Sequence, residues 1–100
     1  MLTGKQKRHL RAIGHGLKPV ILIGKNEIDQ AQIAESSAAL DHHELIKVKV
    51  LESCLLDRHE AAEMLAEACG ADIAQVLGRT FLLYRQSDTP RIQLPSAKEK

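Results

Sequence analysis

The sequence predicts an α/β domain built on a mixed, four-stranded sheet that is covered by helices. Segments with helical periodicity alternate with short apolar runs, in the order α-β-α-β-α-β-β. Alternation of this kind requires crossover connections, which make part of the sheet parallel. The length of 100 residues and the hydrophobic content of 44% suit a single core. We expect one domain over residues 1–95, followed by a polar tail at 96–100.

The first helix is predicted from residue 3 to residue 13. Thr3 and Gln6 form the pattern of a capping box, in which two side chains satisfy backbone N–H groups at the helix start. Gly14 and Gly16 follow, and we expect them to stop the helix. A helical projection separates the apolar from the basic side chains, with Leu2, Leu10 and Ile13 on one side and Lys5, Lys7, Arg8 and Arg11 on the other.

A strand is predicted at Pro19–Ile23, an unbroken apolar run that ends at Gly24. Such a run predicts burial on both faces of the sheet. The loop Gly24-Lys25-Asn26 then leads into a helix, where free backbone N–H groups and the helix dipole favour an anion. The glycine would let a phosphate approach and Lys25 would add charge, but the same three residues also suit an ordinary turn.

The middle of the chain predicts a helix followed by a half-buried strand. The helix is expected from Ile28 to His42. The segment Leu45–Val50 alternates between apolar and basic residues, as a strand with one buried face does. The alternation assigns Ile46, Val48 and Val50 to the core and Lys47 and Lys49 to the opposite face.

The next segment predicts a third helix and a hairpin. Asp57 with Glu60 suits the start of the helix, and Gly70 suits a left-handed cap at its end. Two strands are predicted at Ile73–Leu77 and Thr80–Tyr84, joined by a tight turn through a Gly-Arg pair. The strands should therefore be antiparallel neighbours.

The chain after the hairpin is expected to be an extended tail. From Gln86 onward it is polar and contains proline. Ile92 and Leu94 are the two large apolar residues of this segment, so any ordering of the tail is expected around them.

Charge is distributed unevenly along a chain whose formal net charge is +1. Residues 1–26 contain six Lys and Arg and no Asp or Glu, whereas residues 27–75 contain three basic and eleven acidic residues. Basic residues from several elements, in segments poor in acids, are typical of a surface that binds a polyanion. The candidate residues for binding the backbone of a nucleic acid are Lys5, Lys7, Arg8, Arg11, Lys18, Gly24, Lys25, Asn26, Lys47, Lys49 and Arg79.

The sequence contains no pattern typical of catalysis, such as a nucleophile elbow, a zinc-protease motif or a phosphate-binding loop. His42, His43 and Glu44 are adjacent, and neighbouring helical side chains point about 100° apart, so they cannot easily hold one metal ion. Cys54 and Cys69 lie outside any CxxC pattern, which predicts two reduced cysteines. We therefore expect no enzyme, no metal and no cofactor.

The aromatic residues limit how the chain could recognise a nucleic acid. Phe81 and Tyr84 are the only Phe, Tyr or Trp residues, and both belong to a strand that should contribute to the core. An aromatic stacking platform is therefore not expected, and contacts to the nucleic-acid backbone should dominate. The sequence shows no bilayer-spanning run and no signal-peptide pattern, so we expect a cytoplasmic protein. A domain of 11.0 kDa without a surplus apolar face is expected to be a monomer.

The sequence resembles the CRM (chloroplast RNA splicing and ribosome maturation) domain, in the stand-alone bacterial form of the YhbY-like proteins. The resemblance covers residues 3 to about 95. It is carried by four segments: Lys5-Gln6-Lys7; Leu17-Lys18-Pro19-Val20 leading into Gly24-Lys25-Asn26; His42-His43-Glu44-Leu45-Ile46-Lys47-Val48-Lys49; and Gly78-Arg79-Thr80 leading to Leu83-Tyr84-Arg85.

The resemblance implies a fold similar to the C-terminal domain of translation initiation factor three, with a KH-like glycine loop against the RNA backbone. It also implies association with precursors of the large ribosomal subunit and, in plants, with group II introns. The family loop is typically G-x-x-G, and here Glu27 occupies the second glycine position. This departure shifts the expected phosphate contacts toward the first helix and toward Lys47 and Lys49.

Two functional hypotheses follow. The first is a non-catalytic RNA-binding protein that associates with ribosomal RNA of large-subunit precursors through its basic face and glycine loop. The alternative is a protein-interaction adaptor that docks through its acidic third helix, which carries Glu60, Glu63 and Glu67.

Overall fold

The chain forms helices and strands in the predicted order. The computed structural model describes residues 2–25 and 28–95. Within them the elements are α1 (Gly4–Gly14), β1 (Pro19–Ile23), α2 (Gln30–His43), β2 (Leu45–Val50), α3 (Arg58–Cys69), β3 (Asp72–Leu77) and β4 (Thr80–Tyr84). The predicted bounds of β1, β2 and β4 match the observed ones. The predicted tail at 96–100 lies outside the described residues, so the division at residue 95 stays a prediction.

Local side-chain bonds set where the helices begin and end. Thr3 and Gln6 form the predicted capping box, with reciprocal hydrogen bonds of 3.0 and 3.1 Å. The helix expected from Ile28 begins instead at Gln30, because Asp29 is its N-cap. At the third helix the Asp57 carboxylate accepts a 2.9 Å hydrogen bond from the His59 N–H, and Gly70 takes the predicted left-handed conformation at the end.

The sheet is mixed, with strand order β1-β2-β4-β3. The crossover through α2 makes β1 and β2 parallel, whereas β2 with β4 and β3 with β4 are antiparallel. The strands β2 and β4 are therefore interior, and β1 and β3 form the two edges.

Helices cover the two faces of the sheet unequally. On one face, α2 and α3 pack over all four strands and bury the larger core cluster, which includes Ile21, Leu40, Val48, Leu65 and Phe81. We call this the two-helix face. On the other face, α1 packs over β3 and β2 and buries a smaller cluster that includes Leu10, Leu45, Leu82 and Tyr84. We call this the α1 face. Both aromatic residues are buried, as predicted.

The prediction that β1 is buried on both faces is wrong. Ile21 and Ile23 are buried on the two-helix face, but Val20 and Leu22 are 49% and 53% exposed. The reason is that β1 is an edge strand and α1 packs chiefly over β3 and β2. A continuous apolar run does not reveal which of its faces a helix will cover.

The first helix ends at the predicted glycines, but not through a left-handed glycine cap. Gly14 is the last residue of α1, and neither it nor Gly16 takes a positive φ angle. A Cβ atom at Gly14 would lie only 2.4 Å from Cδ1 of Leu82. The missing side chain therefore lets the end of α1 pack closely on β4.

The segment after β4 folds back over the α1 face. Ile92 and Leu94 pack against the smaller core cluster, which confirms the two predicted ordering points. The side-chain amide of Gln6 donates a 3.0 Å hydrogen bond to the backbone carbonyl of Pro95. This segment therefore reaches the N-terminal end of α1, whereas Ile13 near the C-terminal end of that helix is exposed.

Candidate nucleic-acid interface

Three connecting segments lie together at one end of the strands. Because β1 and β2 are parallel and β4 is antiparallel to β2, the ends of β1 and β2 lie beside the turn that precedes β4. The Leu51 N–H donates to the carbonyl of Ile23 at 2.8 Å, and the Val50 N–H donates to that of Arg79 at 2.7 Å. At this end of the sheet, the predicted Gly24-Lys25 segment lies near Arg79.

The predicted phosphate loop is only partly described. Asn26 and Glu27 lie outside the described residues. A Cβ atom at Gly24 would lie 3.3 Å from Oγ of Ser53, so the glycine allows close packing of the segment after β2. At the start of α2 the Asp29 carboxylate accepts a 2.8 Å hydrogen bond from the Gln32 N–H. This carboxylate occupies one donor that an anion would use and adds negative charge. In the described part of this loop, the exposed Lys25 side chain is the group that could contact a phosphate.

Lys47 and Lys49 share the α1 face of β2, as predicted. Ile46, Val48 and Val50 are buried on the opposite side. Lys49 is exposed and lies in register between Leu22 of β1 and Thr80 of β4. This row of the sheet forms an accessible surface that combines a positive charge with the exposed side chain of Leu22.

A groove lies between the end of α1 and the start of β1 and β2. Its volume is about 300 Å³. The groove brings together two of the predicted basic residues, Lys18 and Lys47, with His43 at the same site. Its lining also includes the apolar residues Ile13, Leu17, Val20, Leu45 and Ile46.

The remaining predicted basic residues are less concentrated. Arg8 and Arg11 are exposed on α1, and Lys5 is partly buried there. Lys7 lines a separate cavity together with Glu63 and Asp72. Arg79 likewise lines a cavity that contains Glu52 and Asp57. The structure therefore groups Lys18 with Lys47 in one groove, and it gives Lys7 and Arg79 carboxylate neighbours.

Acidic side chains are concentrated in the opposite layer. Glu60, Glu63 and Glu67 are exposed on α3, which packs on the two-helix face. Carboxylates repel a polyanion, so the distribution of charge directs such a ligand toward the α1 face.

His42, His43 and Glu44 do not form a shared site. The two imidazole rings are 6.2 Å apart, whereas the Glu44 side chain is fully buried. In residues 2–25 and 28–95, no group of three or more His, Cys, Asp or Glu side chains could hold a metal ion.

Both cysteines are free. Burial raises the pKa of the Cys69 thiol, and the positive charge of Arg85 partly offsets this rise. No helix in the described part of the chain is long and apolar enough to cross a membrane.

The sequence matches known proteins over most of its length. The family model of the CRS1 / YhbY (CRM) domain matches residues 2–85. This chain belongs to the CRS1/YhbY (CRM) domain family. The "Probable RNA-binding protein YqeI" of Bacillus subtilis is 41% identical over 96 residues, which are 95% of this CRM chain and 100% of that protein. A Haemophilus influenzae relative named "RNA-binding protein" is 37% identical over 94 residues, 94% of this chain and 95% of its own.

The fold of this CRM domain also matches a solved structure. The solution structure of a Staphylococcus aureus protein superposes with a TM-score of 0.82 and is 43% identical in sequence. The match covers 95% of this chain and 100% of that one. The predicted α/β fold and the family resemblance are therefore both confirmed.

Sequence reasoning missed two features of the CRM domain. The first is the exposure of Val20 and Leu22 on the same face as the lysines. Pro19, the first residue of the strand, is a signal that could have indicated an edge position, because proline in sheets is confined to edges and strand starts. The second is the burial of Glu44 beneath the C-terminal segment, for which the sequence carries no comparable signal.

Proposed function

We propose that this CRM domain is a non-catalytic RNA-binding protein of the cytoplasm, and that it acts as a monomer on ribosomal RNA in precursors of the large subunit. Relatives named as RNA-binding proteins support the class of ligand. The restriction to large-subunit precursors rests on the family resemblance. The observation that carries the proposal is the pair Lys47 and Lys49 on the accessible face of an interior strand, with Lys18 in the same groove as Lys47.

The proposed binding is electrostatic. Ammonium groups that neutralise RNA phosphates release condensed counterions, so affinity falls steeply as the salt concentration rises. Contacts of this kind position the protein on RNA but read little sequence. The burial of Phe81 and Tyr84 supports the same view, because neither ring is accessible for stacking on a base.

Sedimentation of the tagged protein in a cell lysate tests the ribosomal part of the proposal. We expect the protein to migrate with free large subunits or their precursors at low salt and to leave them as the salt concentration is raised. Protein that stays at the top of the sucrose gradient at every salt concentration would contradict it.

Charge reversal on α3 separates this proposal from the adaptor alternative. The triple substitution Glu60→Lys, Glu63→Lys and Glu67→Lys changes exposed residues of the two-helix layer. Under the RNA-binding proposal, comigration with ribosomal particles persists. Under the adaptor alternative, comigration is abolished, because the acidic docking surface is gone.

A further inference from the structure

The groove beside Lys18 and Lys47 is lined partly by apolar side chains, which electrostatic binding of phosphates does not require. Val20 and Ile13 are both exposed there, and the partly buried Leu17 lies with them. Apolar side chains exposed together at one concave site are typical of a binding site rather than of an ordinary surface.

The described part of the chain leaves this groove open. Ile92 and Leu94 of the C-terminal segment join the buried cluster of the α1 face, and neither residue lines the groove. Pro95 is bonded to Gln6, near the start of the helix. The groove lies instead against Ile13 and Leu17, at the end of α1 and just after it.

The charges of the groove distinguish it from the neighbouring cavities. Lys18, His43 and Lys47 are its charged or titratable residues, and no Asp or Glu lines it. The cavity at Lys7 contains Glu63 and Asp72, and the cavity at Arg79 contains Glu52 and Asp57. A ligand with an anionic part and an apolar part therefore complements this groove better than it complements those cavities.

We infer that the groove holds one unpaired nucleotide of the RNA, with the base against Ile13, Leu17 and Val20 and the adjoining phosphates on Lys18 and Lys47. This inference rests on the proposed function and deepens it, because it names the class of RNA. In a continuous A-form duplex the bases are stacked and the major groove is too narrow for side chains to read. A bulge, a loop or a single strand offers a base that can enter the groove.

Apolar contact and phosphate contact have separable signatures. A base that packs on aliphatic side chains adds affinity by removing apolar surface from water, without releasing counterions. Loss of this contact therefore lowers affinity by the same factor at every salt concentration. Loss of a lysine contact instead makes the dependence on salt less steep.

The test compares two RNA duplexes, each annealed from two separate strands so that neither has a loop, one fully paired and one with a single bulged nucleotide replaced by 2-aminopurine. Fluorescence anisotropy gives affinity across a salt series, and 2-aminopurine emission reports the environment of the base. The variant combines Ile13→Gln with Val20→Thr, which keep the helical and strand propensities of the two exposed positions. Met64→Gln is the matched control, because Met64 is an exposed apolar residue of α3 in the opposite layer.

We expect the wild-type protein to bind the bulged RNA more tightly and to change its 2-aminopurine emission. The double variant should lose about five- to tenfold in affinity for the bulged RNA at every salt concentration, with an unchanged salt slope and no emission change. Its affinity for the fully paired duplex, and both affinities of Met64→Gln, should stay at the wild-type value. Thermal melting checks that each variant is folded.

Failure of this inference can be distinguished from failure of the proposed function. Equal binding of the two duplexes by wild type and double variant, with a salt slope that still depends on Lys47 and Lys49, overturns the nucleotide site and leaves RNA binding intact. If neither duplex nor a single strand binds, and an acidic peptide with apolar residues binds in the groove instead, both are overturned.

Discussion

The carboxylate of Glu44, at the junction of α2 and β2, accepts a 2.9 Å hydrogen bond from the backbone N–H of Ile92, 48 residues later in the chain. The same carboxylate accepts from the N–H groups of Ser87 and Arg91, and the Glu44 carbonyl accepts from the Arg85 N–H at 2.9 Å. Glu44 is fully buried and takes a positive φ of 62°. One side chain therefore holds the C-terminal segment against the α1 face.

Substitution of Glu44 by glutamine should loosen this segment. The amide keeps the shape of the side chain but removes the charge and one acceptor oxygen, and hydrogen bonds to a charged group are worth roughly 1.5–3 kcal/mol. We expect a loss of about that size in the free energy of unfolding by urea at pH 7, together with faster hydrogen exchange of the Ser87 and Ile92 amides. Glu52→Gln, at an exposed carboxylate, is the control and should change neither quantity.

The contribution of Glu44 to stability should depend on pH. Burial raises the pKa of its carboxyl, but the N–H bonds from Ser87, Arg91 and Ile92 lower that pKa by more, so it lies below the ordinary value of 4.5. A depressed pKa in the folded state stabilises the fold fully above the ordinary pKa, and the stabilisation is lost as pH falls through the depressed value. The difference in unfolding free energy between wild type and Glu44→Gln should be constant from pH 7 to about pH 5 and should shrink below it. A difference that grows on acidification would be inconsistent with this assignment.

Gly14→Ala tests the close packing of α1 on the sheet. Alanine favours a helix by about 1 kcal/mol over glycine, but the new Cβ would lie 2.4 Å from Cδ1 and 2.8 Å from Cδ2 of the buried Leu82. Overpacking of a core costs roughly 1–3 kcal/mol, so we expect a net loss of stability in thermal or urea unfolding. Gly16→Ala is the control, since its nearest neighbour is 4.0 Å away, and it should be neutral or stabilising.

Ser36 and Ser37 should respond to alanine in opposite directions. The Ser36 hydroxyl is fully buried and has no hydrogen-bond partner among the residues that the structure describes. Its removal should raise the free energy of unfolding by about 1 kcal/mol, the cost of an unsatisfied buried polar group. The Ser37 hydroxyl accepts a 3.1 Å hydrogen bond from Arg85, so Ser37→Ala should lower stability. Equal effects of the two substitutions on urea denaturation would refute the distinction.

The basic residues should contribute unequally to RNA binding. The double substitution Lys47→Ala and Lys49→Ala removes two charges from the α1 face, and we expect the salt slope to become less steep by about 1 for each lost phosphate contact. Lys7→Ala should change the slope less, because Lys7 shares its cavity with Glu63 and Asp72. Anisotropy titrations of one RNA over a salt series measure both. If Lys7→Ala changed the salt slope as much for its one charge as the double substitution does for each of its two, the RNA interface would instead extend across the exposed side of α1.

Much of the fold follows from local patterns in the sequence. The alternation of β2 separates Val48 from Lys47 and Lys49, and the strand adopts that arrangement because successive side chains point to opposite faces. The Thr3 capping box and the Gly70 cap depend only on residues within one helical turn. These features are properties of neighbouring residues, so they can be predicted without any knowledge of the packing.

The candidate site could be predicted only in part. The sequence identified Lys18, Lys47 and Lys49 as basic residues near strands, but it did not indicate that Lys18 and Lys47 line one groove. It also did not separate them from Lys7, whose cavity contains carboxylates from α3 and β3. Those relationships depend on the order of strands in the sheet and on the path of α1 across it.

The amino-acid sequence by itself determined the elements of this CRM domain, the polarity of each face of β2 and the family to which the chain belongs. Only the tertiary structure decided that Val20 and Leu22 are exposed, that Gly14 serves close packing and that Glu44 is buried beneath residues 87–92. The physical reason is that each of these outcomes depends on which distant segment covers a residue. Periodicity and propensity describe neighbours along the chain, whereas burial and buried hydrogen bonds are set by partners many residues away.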